Sequence, residues 1–413
     1  MEKKSPSLFN LAVIVGALGY FVDVYDLLLF SIIRVPSLKS LGLSAEEIAS
    51  QGARIISIQM IGLLLGGILW GVLGDKLGRL KVLFASIILY SLGSIANGFV
   101  HTVDQYAIVR FITGLGLAGE LGAGITLVSE LMPKEKRGIA TSLVAGIGLS
   151  GAVFAYFIKV KFGADAEGWR TCYFIGGGLG FALLLLRVGV LESGMYKTIA
   201  QSNVRKGNFF MLFTSGTRLR KYLTAILIAL PNWYVIGVLI TFSDKFAVQM
   251  NVQGPVDPGK GIMVAYAAIS IGDVLIGFIS QWLKSRKWSL YIFHIITVIG
   301  IVWFFHLQGQ TSTMVYWACV VMGFGTGFWA MFVTMAAEQF GTNIRATVAT
   351  TVPNMARGSL SLVVLPLFAA LQPSQGYFRS GWITGIIVFV IAFISLMLTK
   401  ETFGKDLDYI EPQ

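Results

Sequence analysis

Twelve stretches of about 20 mainly apolar residues, joined by short polar connections, leave this chain only one kind of solvent in which to fold. They run at about 10–33, 51–73, 82–100, 106–128, 139–159, 171–190, 222–243, 263–283, 289–307, 313–337, 347–371 and 381–399. At a rise of about 1.5 Å per residue, a helix of that length crosses a hydrocarbon layer roughly 30 Å thick. In hydrocarbon every backbone N–H and C=O must be paired inside the protein, which a helix achieves by itself. The expected fold class is an all-α membrane protein with twelve transmembrane helices. Composition agrees, because 55% hydrophobic and 13% charged residues cannot give a chain of 413 residues a water-facing surface.

A formal charge of +11 would suit a nucleic-acid partner, but the placement of the 32 Lys and Arg residues points to a bilayer. Most fall in alternate connections on the side of the N-terminus, as the positive-inside rule requires of cytoplasmic loops. Both termini are expected in the cytoplasm, in a membrane of the bacterial inner-membrane type, with no nucleic acid bound. The start Glu2, Lys3, Lys4 leads into the first span with no small-residue cleavage pattern, so no cleavable signal peptide is expected. The densest basic cluster (Arg187, Lys197, Arg205, Lys206, Arg218, Arg220, Lys221) surrounds a loop after the sixth span. It divides the chain into a first bundle at 1–190, a cytoplasmic loop at 191–221 and a second bundle at 222–413.

Between the second and third spans the chain reads G-V-L-G-D-K-L-G-R-L-K, residues 71 to 81. Gly71, Asp75, Gly78, Arg79 and Lys81 of this loop resemble the signature cytoplasmic loop of the major facilitator superfamily. The R-F-I-T-G-L-G-L-A-G-E run from Arg110 to Glu120 resembles the fourth-helix signature of the same family. Glu130 and Arg137 recur as Glu338 and Arg345, offset by 208 residues, while Gly277 to Trp288 is an eroded second copy of the glycine loop. The resemblance implies two pseudo-symmetric six-helix bundles with a substrate site between them, working by alternating access. It implies gating roles for Asp75, Arg79, Glu130, Arg137, Glu338 and Arg345 at the inner helix ends. The Tyr-Asp pattern of the first span, Glu120, and the stretch R-V-G-V-L-E-S-G-M-Y resemble the metabolite/proton symporter and organic-ion branches, which have Pro where Gly194 stands. Span five lacks the Gly-Pro pair of drug antiporters.

Ionisable side chains inside spans are the functional candidates, since each costs roughly 2.5 to 3.5 kcal/mol to insert and faces a partner or a watered cavity. Asp23 and Asp26 share one face of the first span with Tyr20 nearby. Arg110 lies at a depth close to that of Asp26, so a salt bridge between spans one and four is expected. Either aspartate is a candidate for proton uptake, with burial opposing its charge and Arg110 favouring it. Glu120 serves either as an inner proton stop or as a contact to the loop near Asp75 and Arg79. Glycines 114, 116 and 119 are expected to admit close helix approach. Arg357, mid-span beside Pro353 and Gly358, requires an anion, either a substrate carboxylate held through two parallel hydrogen bonds or the carboxylate of Asp273 at similar depth. Gln59, Arg54, Asn232, Trp233 and Tyr234 are candidates for cavity contacts or for helix packing. His294, Cys172 and Cys319 read as packing residues.

No nucleotide-binding loop, zinc-type spacing or nucleophile elbow is present, so neither an enzyme nor a bound cofactor is expected. The function these residues support is a monomeric secondary transporter of a small organic anion, coupled to protons. Alternatives are a carrier of sugars, amino acids or zwitterions, an exporter of a metal ion or its chelate through Asp23, Asp26 and Asp273, a transporter-like sensor, and a channel.

Overall fold

The computed structural model describes residues 11–77, 79–120, 134–163, 167–192, 209–405 and 411. Gly78 and Glu130, and the side chains of Asp75, Arg79 and Arg137, lie outside the described residues.

Among the described residues nine helices are long and apolar enough to cross a membrane. The longest, Thr347–Leu398, is two spans in one, folded back at Gly376. Arg79–Asn97 and Val103–Leu117 complete the expected twelve. Local chemistry sets several starts. Ser44 and Glu47 form a capping box at the head of Ala45–Leu77, the Ser44 N–H donating to Glu47 Oε2 at 2.8 Å. Thr102 accepts from the N–H of Gln105 before Val103–Leu117, and Asp257 accepts from the N–H of Gly259 with Pro258 in the first turn of Pro258–Leu283. The return between the last two spans takes a single residue rather than the loop expected around 372–380. Gly376 has φ +69°, and a Cβ there would stand 2.2 Å from Gln249 Nε2.

The two bundles repeat in parallel. Val103–Leu117 and Ser312–Thr326 are helical segments of 15 residues each, starting 209 positions apart, within one residue of the offset of 208 seen in the sequence. Small residues let helices touch backbone to backbone: a Cβ on Gly114 would sit 2.4 Å from the Gln59 carbonyl, and one on Gly116 2.6 Å from the Tyr90 nitrogen.

Three interruptions depart from the uniform helices expected. The tenth span breaks between Ser312–Thr326 and Trp329–Glu338. The seventh and eleventh carry π-helical turns at Val235–Ile240 and Leu360–Val364, packed on each other with Gly237 against Leu360. Broken spans and π turns expose backbone polar groups that only protein or a cavity can satisfy, and they concentrate at binding sites.

At the end where the first span begins, which we term the basic end, the second bundle is stitched by charge. Glu338 pairs with Arg286 at 3.3 Å and accepts from Thr402 Oγ1 at 2.7 Å. Among the described residues the ion pair of Glu338 is with Arg286 and not with its repeat neighbour Arg345, which donates to the Phe340 carbonyl at 3.1 Å. Arg286 reaches Glu338 because the eroded loop ends in a helix start, Arg286–Phe305, that sits beside the end of the tenth span. Glu401 accepts from Ser285 and from the N–H groups of Arg286 and Lys287 at that helix start. Burial alone would raise its pKa, but these bonds and one from the Phe403 N–H hold its carboxyl below the ordinary value.

Candidate functional site

Four buried cations, each beside a carboxylate, mark successive levels along the first span, Leu11–Ser40. Nearest the basic end, Arg187 pairs with Glu120, Nη1 donating to Oε2 at 3.0 Å, and the pair packs on the backbone of Gly19. The sequence put Arg187 at the edge of a basic loop. It is buried because its helix runs on to Glu192, and Glu120 takes it as partner.

Higher up, Arg110 binds Asp26 as expected. Nη1 stands 3.5 Å from Oδ1, and Nη2 donates to the Asp26 backbone carbonyl at 2.8 Å. Ser94 donates to the same carboxylate at 2.8 Å. Gln59 belongs to this cluster rather than to a substrate cavity, since it accepts from Arg110 Nε and donates to the Leu27 carbonyl. All of these groups lie within the first bundle, so the cluster fixes spans one, two, three and four together.

The central level joins the bundles. Arg357 Nη2 lies 3.5 Å from Asp23 Oδ2, and Nη1 donates to Asn354 Oδ1 at 3.5 Å. Asp23 is 0% and Arg357 1% exposed, so neither charge is compensated by water. Of the two partners considered for Arg357, the internal one, Asp273, is not paired with it among the described residues. Asp273 instead accepts from the Ala330 N–H through both oxygens, at 2.9 and 3.3 Å, capping the helix Trp329–Glu338 at the break in the tenth span. Its carboxylate answers the orphaned N–H groups of a helix start inside the membrane.

That cap fixes Trp329 at the edge of a central cavity. Tyr20, Val24 and Leu27 from the first span line it, facing Asn232, Trp233, Tyr266, Trp329 and Arg357. The Trp233 and Trp329 rings meet edge to face at 6.1 Å, and the Arg357 guanidinium stands 5.7 Å from the Trp329 ring. Among the described residues Trp233 Nε1, Trp329 Nε1, Arg357 Nε and Asp23 Oδ1 are all buried without a hydrogen-bond partner. Three of the residues that carry these idle atoms, Trp233, Trp329 and Arg357, line the cavity, and the fourth, Asp23, is paired with Arg357; idle polar atoms are rare in a folded interior, which makes this the candidate ligand site. Tyr234, by contrast, turns away and donates to the Gly381 carbonyl at 2.6 Å.

The cavity is closed in this state, with about 10 Å³ of water-sized space. Between the bundles the far end is shut by Arg34–Asp244, by Lys159–Asp257 at 2.6 Å and by Lys245 Nζ on the Ala45 carbonyl at 3.3 Å. Toward the basic end Asn354 donates to the Ala118 carbonyl at 2.9 Å and packs on Gly67. Arg54 is at the surface, paired with Asp104. His294 sets Nδ1 2.8 Å from the Leu290 carbonyl and Nε2 3.0 Å from the Ile228 carbonyl, whichever nitrogen is protonated donating, and packs on Phe328. Cys172 and Cys319 are free and buried.

Sequence reasoning missed Trp329, Tyr266 and Asn354. For Trp329 a signal existed: the run G-F-G-T-G-F-W places three glycines before it, where a helix is easily interrupted.

A family model described as Major Facilitator Superfamily matches residues 16–358. A niacin transporter of Acinetobacter baylyi is 27% identical, over 97% of this chain and 96% of its own. A sialic acid transporter of Escherichia coli is 24% identical, over 94% and 92%. A solved proton:xylose symporter superposes with a TM-score of 0.72 at 18% identity, covering 96% of this chain and 97% of that one.

Proposed function

We propose, since the chain belongs to the Major Facilitator Superfamily, that Arg357 and Asp23 make it a proton-coupled carrier of a small organic anion. It is a multi-pass membrane protein of a transporter family and not an enzyme. The observation that carries the reading is the Asp23–Arg357 pair, buried between the bundles beside two indole N–H groups that have no partner among the described residues.

The coupling follows from charge. A substrate carboxylate entering the cavity takes the Arg357 fork, for which a planar guanidinium is suited. Asp23 then loses its counter-charge. A buried unpaired carboxylate costs several kcal/mol, which a proton removes. Substrate without proton strands Asp23, and proton without substrate strands Arg357, so only the doubly loaded and the empty, re-paired carriers are stable enough to rock. Anion and proton then travel together with no net charge. Asp26, held by Arg110 and Ser94, keeps its helices in place.

Trp233 and Trp329 favour an aromatic ring on the carboxylate, as niacin has, since their edge-to-face array presents both ring faces and donors. A sugar acid is the second reading, supported by the sialic acid relative and by Asn232 in the wall. The basic end is the cytoplasmic one in this reading, and the working unit is a monomer.

Trp329→Phe keeps the ring and removes the indole donor. Initial-rate uptake of labelled niacin should show KM raised about tenfold, the size of one hydrogen bond to a charged group. An unchanged KM would remove Trp329 from the carboxylate site.

A further inference from the structure

Arg34 sits at the far-end level of the first span, 1% exposed, with a guanidinium that the protein only half uses. Nη2 donates to the Thr241 carbonyl at 3.0 Å and lies 3.5 Å from Asp244 Oδ1. Nε and Nη1 have no partner among the described residues. The fold has nevertheless made room for this costly arrangement. A Cβ on Gly52 would stand 2.6 Å from Arg34 Cδ, and the Phe242 ring covers the guanidinium at 4.7 Å. Idle donors on a buried cation call for an explanation, and a visiting anion is one.

The surroundings fit such a visitor. Phe242, whose ring covers the Arg34 guanidinium, lines a cavity of about 700 Å³ at the far end between the bundles together with Lys245, Tyr377, Arg54 and Glu46, so the cavity lies next to Arg34 with Phe242 between them. Asp244 is 26% exposed, so an incoming group can reach the bond between it and Arg34. Arg34 also stands eleven residues after Asp23, close to three full helical turns, on the same face of the span and about 16 Å along its axis.

We propose that Arg34 is an entry subsite for the substrate carboxylate, which displaces Asp244 from it. Docking the anion then undoes one of the far-end links between the bundles, so arrival and opening are a single event. The carboxylate passes from Arg34 to Arg357 along one face of the first span. This rests on the reading that the cargo is a carboxylate.

The two partners of the bond have opposite effects under this proposal, which a mere strut does not produce. Initial rates of niacin uptake into proteoliposomes are compared for the wild type, Asp244→Asn, Arg34→Gln and Arg34→Lys. Removing the competitor in Asp244→Asn lowers KM about threefold or more. Removing the dock in Arg34→Gln raises KM about tenfold with kcat within threefold of wild type, and Arg34→Lys falls between. If Arg34→Gln does not fold, Arg34→Lys takes its place, and its KM must still move in the direction opposite to that of Asp244→Asn. A raised or unchanged KM in Asp244→Asn overturns the proposal. Failure of the wild type to carry niacin or any other carboxylate would instead overturn the cargo reading, so the two failures are told apart.

Discussion

Arg357→Ala should reduce kcat/KM for carboxylate uptake by about a hundredfold to a thousandfold. Truncating one member of a buried ion pair costs roughly 3–5 kcal/mol, because the remaining charge is stranded in low dielectric. Here the stranded group is Asp23, which has no hydrogen bond to any other described group. The variant also loses the only guanidinium among the described residues on the cavity wall, so binding and coupling fail together. Arg357→Lys keeps the charge and loses the fork, and should recover part of the rate without restoring wild-type KM. Initial rates in proteoliposomes containing equal amounts of monodisperse protein provide the comparison. Uptake by Arg357→Ala within threefold of wild type would mean that the anion is held elsewhere.

The second large effect is qualitative. Asp23→Asn mimics the protonated aspartate permanently. The loaded carrier can then reorient, while the empty one lacks the pair that joins the bundles. Exchange of internal for external substrate should persist, and accumulation driven by a pH gradient should vanish. The neighbouring Asp26 offers the control. Its carboxylate sits within the first bundle, held by Arg110 and Ser94, so Asp26→Asn should lower thermal stability while leaving the gradient dependence of any remaining uptake intact. Exchange surviving in Asp26→Asn but not in Asp23→Asn, with coupling lost in the former, would transfer the proton to Asp26.

What was legible in the sequence and what was not follow a physical division. Span number and order are written in hydrophobic length, which bilayer thickness reads directly. The Asp26–Arg110 bond was also legible, because both residues lie at one depth on helices of the same bundle. The partner of Arg357 was not. Depth alone suggested Asp273, whereas the actual partner depends on how the two bundles meet, a contact between residues 334 apart in sequence. Asp273 was misassigned for a related reason. An intramembrane carboxylate signals an unmet positive group, but the sequence does not say whether that group is a cation or the N-terminus of a helix broken at Gly327 and Phe328. The repeat gave the right offset for Glu338 and the wrong partner, since Arg286 comes from the loop whose glycine pattern had eroded.

In the proposed mechanism a carboxylate and a proton cross together because they compete for the two sides of one ion pair. It is tested most directly by recording labelled niacin uptake and internal pH in the same proteoliposomes, with a pH gradient imposed and the membrane potential clamped. The account predicts gradient-driven accumulation with one proton entering per carboxylate, insensitive to the sign of the potential. Uptake of the carboxylate that ignores the pH gradient, or that follows the membrane potential instead, would contradict it.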